Sequence, residues 1–239
     1  KWNVELSEPD VAPMQVQGPK SKPLMVSIFG PKIESLPYYH SMETTLSGMN
    51  MLVTRTGYTG EIGYEIYLRN ATRDGVKLWN TILEAGKSYN ISPGGPSLIR
   101  RLEHGIRNYG QDMRIENNPY EVGLGFAVDL DQEADFIGKN ALIQIKKQEL
   151  KQKIVGIEFG TERMKGWNED YWPVMENGTQ IGKVTTAAYS PGLKKNIGYA
   201  MLPIEKKEIG TKITILARGV KTGATVIKEP FVKGKEKSK

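Results

Sequence analysis

The chain has 239 residues, 38% hydrophobic and 25% charged; that allows one large or two modest globular domains, and no apolar run approaches the roughly 18 residues of a membrane span. Cysteine is absent, which excludes disulfides, thiolate nucleophiles and cysteine metal sites, and two histidines, His40 and His104, are too few for a multi-histidine metal centre, so no metal is expected. The formal charge is +6, but residues 233–239 carry four lysines against one glutamate, so the body is only mildly basic and a nucleic-acid partner is disfavoured.

In chain order, residues 1–30 predict two short strands around a loop, and the stretch 11–20 within them ends in a Gly18-Pro19 turn. Residues 31–48 are polar and proline-containing, which predicts an irregular excursion. A strand over 49–55 then enters the stretch Arg55-Thr56-Gly57-Tyr58-Thr59-Gly60-Glu61-Ile62-Gly63. Its glycines make a turn that side chains cannot crowd and that a ligand can approach. The strand after it alternates. Tyr64, Ile66 and Leu68 are expected on a core face, and Gly63, Glu65 and Tyr67 on the other. That second face sets a carboxylate beside a phenol, with space left by a glycine, as a floor for a flat, hydrogen-bonding heterocycle.

Thr72 is the expected N-cap of a helix over 73–85, with Val76, Trp79, Ile82 and Leu83 as its buried stripe. Pro96 is expected to open a second helix with Leu98, Ile99, Leu102 and Ile106 inward. Residues 118–129 predict a loop and then a strand, and a third helix falls over 138–150. Beyond Leu150 the pattern changes to short strands at 154–159, 179–187, 197–202, 212–217 and 224–228, separated by glycine and proline turns. The fold class is therefore α+β, with a mixed region over 1–150 and a small antiparallel barrel or sandwich over 151–239. The chain opens Lys1-Trp2-Asn3-Val4 without a methionine and is expected to be a fragment or processed piece.

Four segments in fixed order carry a resemblance: Val16-Gln17-Gly18-Pro19-Lys20; Arg55 to Glu61 with Tyr64-Glu65-Ile66; Arg101-Leu102-Glu103 with Tyr109-Gly110-Gln111-Asp112; and Gly182-Lys183-Val184-Thr185-Thr186 with Ser190-Pro191-Gly192-Leu193. They resemble the folate-dependent one-carbon transferases typified by the aminomethyltransferase, or T-protein, of the glycine cleavage system. The resemblance implies mixed α/β folate-binding subdomains, a C-terminal barrel and tetrahydrofolate as the one-carbon acceptor. It implies that Tyr58 and Glu65 bind folate. Tyr67, on the predicted face of Glu65, is the candidate for contact with the one-carbon donor. In the family the catalytic acid comes from a segment preceding the part matched here, so no catalytic residue is assigned, and a piece without it is expected to turn over weakly or not at all.

One departure bears on the donor. Aligned on Arg101-Leu102-Glu103, the arginine that grips the folate tail in aminomethyltransferases becomes Ser97. Residues 6–21 and 92–97 are similar to a branch of the family that moves a methyl group from the sulfonium of dimethylsulfoniopropionate to tetrahydrofolate, giving methylmercaptopropionate and 5-methyltetrahydrofolate. That methyl transfer is the leading expectation, and aminomethyl transfer is the alternative. A third branch, of non-enzymatic folate-binding proteins, has a cysteine in its signature that this chain lacks. A sulfonium needs aromatic faces; Tyr58 and Tyr67 are the candidates, with Trp167, Tyr171 and Trp172 as weaker ones that packing explains as well. The expected partners are folate and a small-molecule donor, without nucleic acid or membrane, with homodimer formation left open, in the cytoplasm.

Overall fold

The computed structural model describes residues 3–234; residues 235–239, which hold most of the lysine-rich tail, lie outside the described residues. The chain divides into two compact units, one running to Ser97 and the other spanning Leu98–Lys233. The change of composition near Leu150, which motivates a division into 1–150 and 151–239, thus falls inside the second unit. Among the described residues no helix is long and apolar enough to cross a membrane.

The first unit is a four-stranded antiparallel sheet in the order β1-β4-β3-β2, built from β1 (Val11–Gln17), β2 (Ser41–Leu46), β3 (Met49–Thr54) and β4 (Gly63–Arg69). The alternation in β4 holds: Tyr64, Ile66 and Leu68 are buried, with Met49, Met51, Val53 and Val16 on the same face. Helices α1 (Ser21–Phe29) and α2 (Ala71–Gly86) pack on that face through Leu24, Met25, Leu78 and Ile82. Each such side chain contributes about 1.5–3 kcal/mol when taken out of water. The opposite face carries Gln15, Gln17, Glu65, Tyr67 and Thr54 and is only partly covered.

Several local expectations change. Residues 21–29 are a helix, not a strand. Pro23 sits in its first turn, where a missing N–H costs nothing, and Leu24 and Met25 reach the core. The segment expected to be irregular contains β2. Its turn is Ser47-Gly48, with φ of 50° and 80°, the left-handed pair that a two-residue hairpin needs. In α2 the inward stripe is Leu78 and Ile82, while Val76 is 76% exposed and Trp79 40% exposed. Thr72 lies inside the helix instead of capping it. Asp10, just before β1, accepts hydrogen bonds from the Thr72 N–H (3.0 Å) and hydroxyl (3.0 Å) and so supplies the missing cap from another segment.

The second unit is a closed six-stranded antiparallel barrel. Its strands are β5 (Gln152–Phe159), β6 (Trp172–Glu176), β7 (Thr179–Ser190), β8 (Lys195–Pro203), β9 (Lys212–Ala217) and β10 (Val220–Ile227), in the order β10-β5-β8-β7-β6-β9. β6 is the one strand that the pattern of turns did not mark. Ile157, Val174, Val184, Ala200, Leu202, Ile215 and Val226 belong to one buried cluster of the barrel. Ile197, Tyr199 and Met201 belong to a second cluster with Leu102 of α3 (Leu98–Glu103) and Val122. That is why β8 is buried along nearly its whole length. α3 is shorter than expected. It starts after Pro96 and stops before Gly105, whose φ of 80° ends the helix ahead of Ile106. The strand expected before Asp129 is absent. A Cβ on Gly125 would meet the Tyr120 ring at 2.8 Å, so this stretch folds back on itself and holds only a short 3-10 turn, Gly125–Ala127. The fourth helix, α4, spans Lys139–Lys146.

Candidate functional site

Glu65 and Tyr67 lie two residues apart on β4 and therefore on one face, as the alternation requires. The register places Gln15 of β1 on one side of Glu65 and Thr54 of β3 on the other. Gln15 Nε2 donates to Glu65 Oε1 at 2.9 Å. Glu65 Oε2 accepts from the Thr56 hydroxyl and, at 3.4 Å, from the Tyr67 hydroxyl. Thr54 and Thr56 share a hydroxyl–hydroxyl contact of 2.5 Å. The phenol of Tyr67 is pushed above its usual range by partial burial and, after that, by the charge and hydrogen bond of Glu65. Tyr67 is therefore a neutral hydrogen-bond donor throughout the physiological range.

Tyr58 sits in the glycine turn between β3 and β4, half-buried. Of the glycines in this turn only Gly60 has a left-handed φ, 71°. The space expected beside Gly63 is not open. A Cβ built on Gly63 would fall 2.3 Å from the Gln17 carboxamide, and one on Gly57 would fall 2.1 Å from it. The glycines make room for the chain's own amide, and a ligand on this face must lie over Glu65 and Tyr67 instead. A carboxylate offers about four lone-pair directions. Three donors use Glu65, which leaves it acceptor capacity for about one more hydrogen bond.

The other candidates have partners of their own. Trp172 is buried, edge-on to Phe159 at 5.8 Å, and belongs to the barrel core. The Tyr171 ring already faces two of the chain's own cations, Lys183 Nζ at 4.5 Å and Arg114 at 5.6 Å. Trp167 is 57% exposed. His40 and His104 bond to nearby backbone carbonyls, those of Tyr38 and Arg100. A cavity of about 400 Å³ in the first unit, lined by Val16, Leu24, Trp79, Ile82, Tyr89 and Pro93, includes none of Tyr58, Glu65 and Tyr67.

Two of the resembling segments meet in the second unit, where they build a sealed polar core. Arg101 and Asp112 form an ion pair with no side-chain exposure. Arg101 also donates to Gln111 Oε1 (2.8 Å) and Thr186 Oγ1 (2.9 Å). Asp112 Oδ1 accepts from Thr185 (3.0 Å) and Thr186 (2.5 Å). Neighbouring residues of a regular strand face opposite ways. A bulge in β7 between Val184 and Thr186 lets both hydroxyls reach the same carboxylate. Glu103 accepts from the Ser190 hydroxyl at 2.5 Å. Gln15, Gln17, Thr56 and Thr59 were missed as site residues. The Met14-Gln15-Val16-Gln17 alternation marks a two-faced strand, but only the pairing of β1 with β4 shows what the glutamines face.

Comparison with known proteins agrees with this architecture. The family described as "GCVT N-terminal domain" matches residues 2–132, and the one described as "Glycine cleavage T-protein C-terminal barrel domain" matches residues 152–233. An aminomethyltransferase of Bacillus subtilis (strain 168) is 38% identical over 226 residues, covering 93% of this chain and 61% of the relative. One from Geobacillus sp. (strain WCH70) is 38% identical over 227 residues, covering 94% and 61%. The crystal structure of the glycine cleavage system aminomethyltransferase T from Bartonella henselae superposes with a TM-score of 0.76 at 23% identity, covering 94% of this chain and 60% of that one, which establishes a shared fold. The chain thus spans about 60% of the length of these relatives.

Proposed function

Because the chain belongs to the glycine cleavage T-protein family, we propose that it binds tetrahydrofolate at Glu65, Tyr67 and Tyr58 as part of a one-carbon transferase of the aminomethyltransferase type. The observation that carries this reading is the Glu65 carboxylate, presented on a partly open sheet face and held there by Gln15, Thr56 and Tyr67. Tetrahydrofolate supplies the nucleophilic nitrogen that takes up the one-carbon unit. Glu65 accepts a hydrogen bond from the N–H edge of the pterin, and the rings of Tyr58 and Tyr67 pack against its plane. Tyr67 keeps its proton and orients whatever acceptor the donor presents. The main contribution of this face is to hold two substrates in register.

The donor separates two readings. The relatives are aminomethyltransferases, which supports an aminomethyl group carried on a lipoylated protein, with release of ammonia. The sulfonium donor expected from residues 6–21 and 92–97 has no support from these relatives. It stays as a second reading because Ser97 stands where the family resemblance implies a tail-gripping arginine.

Titration of the protein with tetrahydrofolate is expected to show binding that Glu65→Ala weakens about tenfold, the loss of one charge-assisted hydrogen bond. Equal affinity in the variant would remove Glu65 from the site. Ammonia release from the aminomethyl-lipoyl carrier supports the first donor. Stoichiometric 5-methyltetrahydrofolate and methylmercaptopropionate from dimethylsulfoniopropionate would overturn it in favour of the second.

A further inference from the structure

The Gln17 side chain spends three of its four hydrogen-bonding positions on the glycine turn and the start of β4. Nε2 donates to the carbonyls of Thr56 (3.2 Å) and Tyr64 (3.2 Å), and Oε1 accepts from the Thr59 hydroxyl (3.0 Å). Thr59 in turn accepts the Glu61 N–H at 3.3 Å. The carboxamide lies between Gly57 and Gly63, in volume that a Cβ on either would invade. Neither of those glycines has a left-handed φ. Their lack of side chains is explained by the amide they enclose and not by backbone conformation.

Thr56 is the link. Its carbonyl is held by Gln17 and its hydroxyl bonds to Glu65 Oε2. Two residues earlier on the same face of β1, Gln15 holds the other oxygen of Glu65. A side chain in β1 thus sets the turn, the turn sets a hydroxyl, and the hydroxyl sets the acid. We propose that Gln17 is a positioning residue for Glu65, fixing the direction of its free lone pair through Thr56, and that Gly57 and Gly63 serve to admit the Gln17 carboxamide. The link to folate rests on the reading of Glu65 given above; the link to Glu65 itself does not.

The Tyr67 phenol reports on the carboxylate with or without a ligand, since Glu65 contributes to its raised pKa. Its titration is followed by NMR on tyrosine-labelled protein, with Tyr67→Phe assigning the signal and Glu65→Gln giving the value without the charge. Gln17→Met keeps the volume and removes the hydrogen bonds. It is expected to move the Tyr67 titration toward the Glu65→Gln value, by less than loss of the charge itself does, and to weaken tetrahydrofolate binding about tenfold. Gly63→Ala should do the same, because the methyl expels the carboxamide, and it carries the test should Gln17→Met fail to fold. In a Gln17→Ala background, adding Gly63→Ala should cost nothing further. A Tyr67 titration unmoved in either folded variant overturns the proposal. A shifted titration with unchanged folate affinity upholds the positioning role and instead overturns Glu65 as a folate ligand.

Discussion

Each compact unit surrounds a carboxylate with hydroxyls and amides, and the two do so to opposite ends. Asp112 in the second unit is sealed, paired with Arg101 and bonded to Thr185, Thr186 and the Asn108 N–H at 2.9 Å. Glu65 in the first unit stands half-buried on a sheet face with glutamine, threonine and tyrosine partners. A buried charge with every partner in place specifies one packing and costs heavily when a partner is removed. A carboxylate left with one free direction on an open face adds little to stability and is available to a ligand. The same chemical group is sealed in one unit and half-exposed in the other, and the proposed binding role of Glu65 rests on that difference in partners and exposure.

The contrast can be broken by mutation. Asp112→Ala strands the Arg101 charge and should lower unfolding free energy by about 3–5 kcal/mol in denaturant melts; a loss as small as that at an exposed site would mean the pair is not sealed. Leu78→Ala should cost about 2–5 kcal/mol, whereas Val76→Ala should stay within about 0.5. The reverse order would restore the helix face that the sequence suggests. Tyr199→Phe removes a hydrogen bond of 2.8 Å to the Leu102 carbonyl but keeps the ring over which Arg107 stacks at 3.8 Å, so about 1 kcal/mol is expected. Glu65→Ala should change stability by less than about 1 kcal/mol while folate binding falls. If instead it unfolds the protein, the carboxylate is structural in both units.

The smallest effect is a titration. Tyr67 has its folded pKa above that of an ordinary phenol, so the folded state keeps its proton longer than the unfolded chain. Its contribution to stability is complete below the ordinary phenol pKa of the unfolded chain and is lost as pH rises through the raised pKa. Glu65→Gln should bring the phenol back down, although burial, the larger cause, keeps it above the ordinary value. No movement would mean that the carboxylate and the phenol do not meet.

Much of this was legible in the residues. Period-two alternation marked the core face of β4 because burial on one side of a pleated strand leaves no other pattern. The turns after Leu150 marked five of the six barrel strands. What failed did so for identifiable reasons. Residues 21–29 look extended through Val26, Ile28 and Phe29, yet a proline in the first turn and two core-facing side chains suffice for a helix. Trp79 looks like a core residue by type and spacing, but Leu78 takes that place and the indole lines a cavity.

The sequence by itself determined the two-faced strands, the class of the C-terminal domain, the family and the pairing of Glu65 with Tyr67, since all of these rest on local periodicity or on motifs read in order. Tertiary structure alone decided that the glycine space belongs to Gln17, that Asp10 completes the start of α2, and that a bulge turns Thr185 and Thr186 onto one aspartate. Those contacts join residues about 40 to 75 positions apart. No local propensity encodes such a pairing; register and packing do.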